Sequence, residues 1–243
     1  MRLLRLLLLA GFLCKTPAWA AMTVTNCNTG TPASATTMTV TCSSVAAGDL
    51  LALTFLSNNN AAVSSVSDSV DGTNGWTAAF ASTSFGVIGN LAWYVAPNRS
   101  GSGSTVTVTV QFVSATGGGE IALKRISNAD TSSPVDGAGC STSGTGTAPS
   151  CALTTSNANT LLLASLGLGA SKTVTVGGSF GNALTPDGFT KIADKYVTAS
   201  GSQTINPFSW TGSTSLSFGQ IAIAIKEAAG GAVATPRRRP IYF

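Results

Sequence analysis

The chain reads as all-β, a two-sheet jelly-roll-like β-sandwich built from a degenerate internal duplication. Three observations predict this. Apolar residues alternate or run in short stretches closed by Gly, Asn, Asp and Pro, without a sustained helical period. Charged residues are only 9% of 243 positions, and Ser, Thr, Gly and Ala fill the polar ones, a profile that suits an exported β-rich protein. Several features also recur in the same order in two halves.

The first twenty residues have the three parts of a signal peptide. Arg2 and Arg5 give a positive start, Leu3 to Leu13 an apolar run, and Ala18-Trp19-Ala20 a cleavage signal, so residues 1–20 are set apart from the fold. The apolar run is too short for a permanent membrane helix. Cys14 follows Leu13, where lipidation requires a small residue, and the cleavage signal lies beyond it. The expected location is secreted, periplasmic or cell-surface, with no transmembrane segment after cleavage.

Of thirteen basic residues, Arg2, Arg5 and Lys15 leave with the signal and Arg237, Arg238 and Arg239 sit in the tail, so the body carries seven against nine acidic. A net charge of −2 on the body provides no basic footprint for nucleic acid.

Met22 to Cys27 and Thr36 to Cys42 are the first strand candidates. Gly48 to Leu56, GDLLALTFL, is apolar on both parities, with Leu51, Leu53 and Phe55 on one face and Leu50, Ala52 and Leu56 on the other. Such a run is a central strand covered on both sides. Ala62 to Asp68, Trp76 to Ala81 and Asn90 to Ala96 follow. Thr105 to Phe112 alternates Val106, Val108, Val110 and Phe112 against Thr and Gln, a strand with one wet face. Glu120 to Ile126 closes the first half, and Asn128 to Pro149 is a polar crossing interrupted by Val135.

Beyond it, Asn159 to Leu166, NTLLLASL, is a second leucine strand. Asp187-Gly188-Phe189-Thr190 echoes Asn74-Gly75-Trp76-Thr77, and Gly219 to Ile223 echoes Gly119 to Leu123. The second half has only short candidates between Phe180 and Phe218. A weak half gains stability by sharing a core, which favours one domain over 21–228, with pseudo-repeat halves 21–127 and 138–228, rather than two separate sandwiches.

Four cysteines follow the signal: Cys27, Cys42, Cys140 and Cys151. Four cysteines allow three connectivities. Cys27 with Cys42 and Cys140 with Cys151 are favoured, because each pair flanks a short Thr/Ser/Gly/Pro turn region. Closing loops of this size is worth about 3 kcal/mol each. With no histidine and no C-x-x-C, a zinc site is a poor alternative.

The series GDLLALTFL, SVSDSVDGTNGWT, LAWYVAP, STVTVTVQF and GGEIALKRISNADTSSPVDG resembles a loose class of exported bacterial and phage-associated β-sandwich proteins, over most of residues 40–137. Asn128-Ala129-Asp130 stands where the class has Gly-Val-Asp, and an extra Gly-Thr interrupts the turn. The resemblance implies a fold and brings no established activity.

Candidate sites lie in loops and in the tail. Asp68, Asp71 and Asn74 form an oxygen-rich loop, the candidate site for calcium. Val70 occupies a position where the calcium-loop pattern needs an oxygen, and Asp-Gly and Asn-Gly also serve tight turns. Trp76, Tyr94 and Tyr196 are candidates for stacking on sugar rings. Tyr94, on the opposite parity from Trp93, is the one expected at the surface. The absence of histidine excludes a Ser-His-Asp or Cys-His site, and Glu120 and Glu227 are the only glutamates, without the array expected for two-carboxylate glycoside hydrolysis. Glu120, Lys124 and Arg125 read as a solvated strand-edge group.

Residues 229–243 are a flexible linker followed by PRRRPIYF, in which Arg237, Arg238, Arg239, Tyr242 and Phe243 could dock on an anionic envelope surface or a partner. The expectation is a non-catalytic exported binding or structural module. Its partners would be a glycan, the cell envelope or another copy of itself. The alternatives are a virion- or surface-assembly protein attached through the tail, and a calcium-dependent glycan-active enzyme.

Overall fold

In the computed structural model the described residues are 21–229, apart from 33, 98, 101–102 and 213–215. Residues 1–20, read from the sequence as a signal peptide, and the tail from 230 onward, with its docking candidates, lie outside them.

The structure is nearly all-β, with several antiparallel sheets. The first half contains β1 (Thr23–Gly30), β2 (Thr37–Val45), β3 (Leu50–Ser57), β4 (Val63–Asp68), β5 (Thr77–Ser84), β6 (Asn90–Ala96), β7 (Ser104–Phe112) and β8 (Gly119–Ser127). All eight sit where the alternation places them. The second half contains β9 (Cys140–Thr145), β10 (Cys151–Thr155), β11 (Thr160–Leu168), β12 (Thr175–Val176), β13 (Gly181–Leu184), β14 (Thr190–Val197), β15 (Gly201–Ile205), β16 (Phe208–Ser209) and β17 (Ser217–Lys226).

The first half forms a five-stranded sheet, β1-β8-β3-β6-β5, and a three-stranded sheet, β2-β7-β4. The second forms a five-stranded sheet of order β13-β14-β11-β17-β9 and two strand pairs, β10-β15 and β12-β16. Three apolar layers join them. Leu51, Leu53 and Phe55 of β3 pack on Met38, Val40, Val106, Val108 and Val110 of the three-stranded sheet. The opposite face of β3, with Leu50, Ala52 and Leu56, packs on Leu161, Leu163, Ile221, Ile223 and Ile225 from the second half. Leu162, Ala164, Leu166 and Leu168 then pack outward on Leu153, Ile205, Phe208 and Trp210.

The two five-stranded sheets therefore lie face to face in the middle, which is why both leucine strands are buried along their whole length. Across this seam the Thr54 hydroxyl lies 3.3 Å from that of Ser165 and donates to the Ala92 carbonyl at 2.8 Å. The expected single two-sheet sandwich is replaced by a deeper stack. Each half builds its own sheets, and the weaker second half covers the inner face of its five-stranded sheet with that of the first.

Both expected disulfides are present. Cys27–Cys42 ties β1 to β2 and Cys140–Cys151 ties β9 to β10, so each bond bridges a five-stranded sheet to the strands outside it. The crossing is not idle: Val135 bridges to Ile225, and the Asp136 N–H donates to the Ala224 carbonyl at 2.9 Å. The chain thus lengthens the β17 edge before β9 begins. Two echoes do not occupy equivalent places. Asn74-Gly75-Trp76 precedes β5, whereas Asp187-Gly188-Phe189 precedes β14, one strand later in the order. Glu120 and Gln220 face opposite layers: Glu120 shares the parity of Ala122 in the central seam, and Gln220 donates outward to the Ile205 carbonyl at 3.0 Å. A one-residue slip in a strand alignment turns every side chain to the other face.

Candidate functional site

Three polar clusters sit at the ends and in the seam of this stack. The first is the loop between β4 and β5. Asp68 folds it as an Asx turn, its Oδ1 accepting from the N–H groups of Val70 at 2.9 Å and Asp71 at 2.8 Å. Its Oδ2 accepts from Trp76 Nε1 at 2.7 Å. Arg99, buried behind the loop, donates to the Asp68 carboxylate, pairs with Asp71 at 2.7 Å, and donates from Nη1 to the Asn74 carbonyl at 3.2 Å. The guanidinium also lies 5.9 Å from the Trp76 ring centre. Hydrogen bonds from the Ser100 hydroxyl and N–H, with Arg99 beside it, hold the Asp71 carboxyl below the usual range against a smaller opposing effect of burial. Asp68, Asp71 and Asn74 do converge, and the cation they converge on is Arg99.

The aromatic candidates do not form one platform. Trp76 is half-buried and hydrogen-bonded to Asp68. Tyr94 is also half-buried, with its ring centre 6.3 Å from that of Phe55, and burial pushes its phenol upward. Its expected exposure fails because β6 belongs to a sheet covered on both faces, so both Trp93 and Tyr94 point into apolar layers. Tyr196 lies in the other half, where its hydroxyl donates to Glu227 Oε2 at 3.0 Å. Burial, then that hydrogen bond and the nearby negative charge, push its phenol up to about 12.

That contact belongs to the second cluster, where the two ends of the described chain meet. Glu227 Oε1 accepts from the Met22 N–H at 3.2 Å, and Asn128 donates to the Ala21 carbonyl at 3.2 Å while accepting from the Ala228 N–H at 2.8 Å. A cleft of about 450 Å³ opens here, lined by residues that include Asp130, Asn157, Asn159, Lys226 and Ala229. The chain leaves the body toward the tail from this cleft.

The third cluster lies in the central seam, and sequence reasoning misplaced it. β8 is an interior strand, so Glu120 and Lys124 are buried between the halves rather than solvated at an edge; only Arg125, on the other parity, keeps partial exposure. Lys124 Nζ donates to Asn26 Oδ1 at 2.6 Å, to the Asn182 carbonyl at 2.8 Å and to Asp194 Oδ1 at 2.8 Å. Burial pushes its ammonium pKa down and the Asp194 charge partly opposes that. Near one end of β8, Glu120 approaches Asp187 and Thr190 from the second half. Its carboxyl is pushed up to about 9, by burial first and then by the hydrogen bond and negative charge of Asp187, with Thr190 opposing. Glu120 is therefore neutral at pH 7.

No protein-family model matches the chain, and no curated protein matches it. Arg99, Asn26 and Asp194 were not singled out from the sequence, and Lys124 was read as solvated. The available signal was parity: Lys124 shares the phase of Ala122 and Ile126, so a seam-facing β8 must bury it.

Proposed function

We propose that the chain is an exported, non-catalytic structural or binding module held at an envelope surface through its C-terminal tail. It is one unit, a duplicated jelly roll. In the first half β1, β8, β3 and β6 lie in one sheet and β2, β7 and β4 in the other, the wrapping of a jelly roll with β5 carried on the first sheet. The order β9-β17-β11-β14-β13 repeats β1-β8-β3-β6-β5 strand for strand.

The observation that carries the reading is the use made of buried charge. Arg99, Lys124, Asp136 and Asp194 are each engaged inside the protein, and the Lys124–Asp194 pair braces one half against the other. Attachment then falls to the tail, which leaves from the cleft at Glu227. Three arginines near an anionic surface contribute roughly 1 kcal/mol each, and Ile241, Tyr242 and Phe243 add apolar contact. Deleting residues 229–243 should weaken envelope association about a hundredfold, measured by cosedimentation with isolated envelopes. Raising the salt should weaken the full-length chain's binding by screening the arginines. Unchanged association of the truncated chain would move the contact to the body and overturn the tail's role.

A further inference from the structure

We propose that Lys124 and Asn26 are a modification site, at which the chain closes an intramolecular amide bond between the lysine Nζ and the asparagine Cγ, with Asp194 carrying the protons. This goes beyond the attachment reading and does not depend on it.

The geometry places the three groups as such a reaction needs them. Asn26 and Lys124 are directly opposite in the β1–β8 ladder, beside the irregularity that follows Asn26. Asn26 Oδ1 lies 2.6 Å from Nζ, so the amide carbon is beside the amine. Asp194 reaches across the seam from β14, with Oδ1 at 2.8 Å from Nζ and Oδ2 accepting from Asn182 Nδ2 at 3.1 Å. The Asn182 carbonyl, 2.8 Å from Nζ and 3.1 Å from Asn26 Nδ2, fixes amine and amide relative to each other. The Lys124 and Asp194 side chains are 1% and 6% exposed, and Leu50, Ala52, Ile126, Leu163, Ile192 and Ile223 line the same seam. Water is excluded from the amine, and a held near-attack geometry replaces a bimolecular encounter.

The step balances without any other reactant. The Lys124 ammonium gives a proton to Asp194, and the freed nitrogen pair attacks Asn26 Cγ as the protonated Asp194 supports the carbonyl oxygen. The Nζ–Cγ bond forms and the Cγ–Nδ2 bond breaks. Protons from Nζ pass through Asp194 to Nδ2, which leaves as ammonium, and Asp194 returns to carboxylate. Nothing is oxidised or reduced. Asn26 is the electrophile because an amide can expel ammonia, whereas ionised Asp194 resists attack and is already the proton acceptor.

The test is the intact mass of the purified exported chain after reduction and alkylation, followed by tryptic mapping. The expected result is a mass short by one ammonia, no cleavage after Lys124, and a branched peptide joining Asn26 to Lys124. Asp194→Ala should restore the full mass. The wild-type measurement decides the matter even if that variant does not fold. A full mass in the wild type overturns the proposal; so does a deficit of one water located at Asp194, or a branched peptide that persists in Asp194→Ala.

Discussion

Glu120→Gln should stabilise the protein at pH 7 by about 3 kcal/mol, the largest gain expected from a single change of one atom type. The side chain is 2% exposed in the central seam, and its carboxyl is raised from 4.5 to about 9. The sign follows from which state holds the proton. Below pH 4.5 the folded and unfolded chains both carry a neutral Glu120, and the residue costs nothing. Between 4.5 and about 9 the unfolded chain ionises it and the folded one does not, so stability falls by about 1.4 kcal/mol per pH unit. Above that range both states are ionised and the loss levels off. Gln keeps nearly the same shape and has no proton to lose. Denaturant unfolding of both forms from pH 4 to pH 9 measures the difference, which should be near zero at the acid end and grow steadily. Parallel curves would mean that Glu120 is ionised in the folded protein and that its burial does not control its charge.

This residue also marks where the sequence stops being legible. The first half could be read strand by strand because its outer sheet has one wet face, so Val106, Val108 and Val110 alternate with threonines. The leucine strand β3 was legible as doubly covered, since nothing polar breaks its run before Thr54. The second cover was the five-stranded sheet of the second half, which no single strand can announce. β14 was missed because its inward positions include Asp194, and a buried acid breaks the alternation that identifies a strand. On β8 the strand was found, but Lys124 was read as solvated, which hid that its face lies in the seam. These two residues are each other's partners, so the ion pair that joins the halves is what hid the joint. Disulfide pairing was legible because each pair lies close in sequence, with separations of 15 and 11 residues.

The candidate loop was legible in its residues and not in its cation. Asp68, Asp71 and Asn74 form an oxygen cluster in the sequence; Arg99 lies 25 positions beyond Asn74, after an intervening pair of strands. Only the pairing of β5 with β6 brings Arg99 and Ser100 back over the turn. A guanidinium with several donors can satisfy oxygens from both carboxylates and a carbonyl together, which a turn otherwise leaves to water or a metal.

Arg99→Met should therefore cost about 3–5 kcal/mol, because it leaves Asp68 buried without its counter-charge. The Asp68 and Arg99 side chains are 0% and 2% exposed, so little water can enter to compensate. Thermal and denaturant unfolding give the magnitude. The double variant Asp68→Asn with Arg99→Met should recover a substantial part of the loss, since it removes the stranded charge along with its partner. Asn retains an oxygen for the N–H groups of Val70 and Asp71, so the turn itself survives. If the single variant loses less than about 1 kcal/mol, the pair behaves as a surface ion pair and the loop is wetter than its burial implies. The same preparations separate arginine from calcium as the charge that closes the loop. With Arg99 in place, the wild-type melting temperature should be the same in millimolar calcium and in excess chelator. A rise with calcium would mean that oxygens of Asp68, Asp71 and Asn74 remain available to a metal despite the arginine, and would return the loop to the ligand-binding surface.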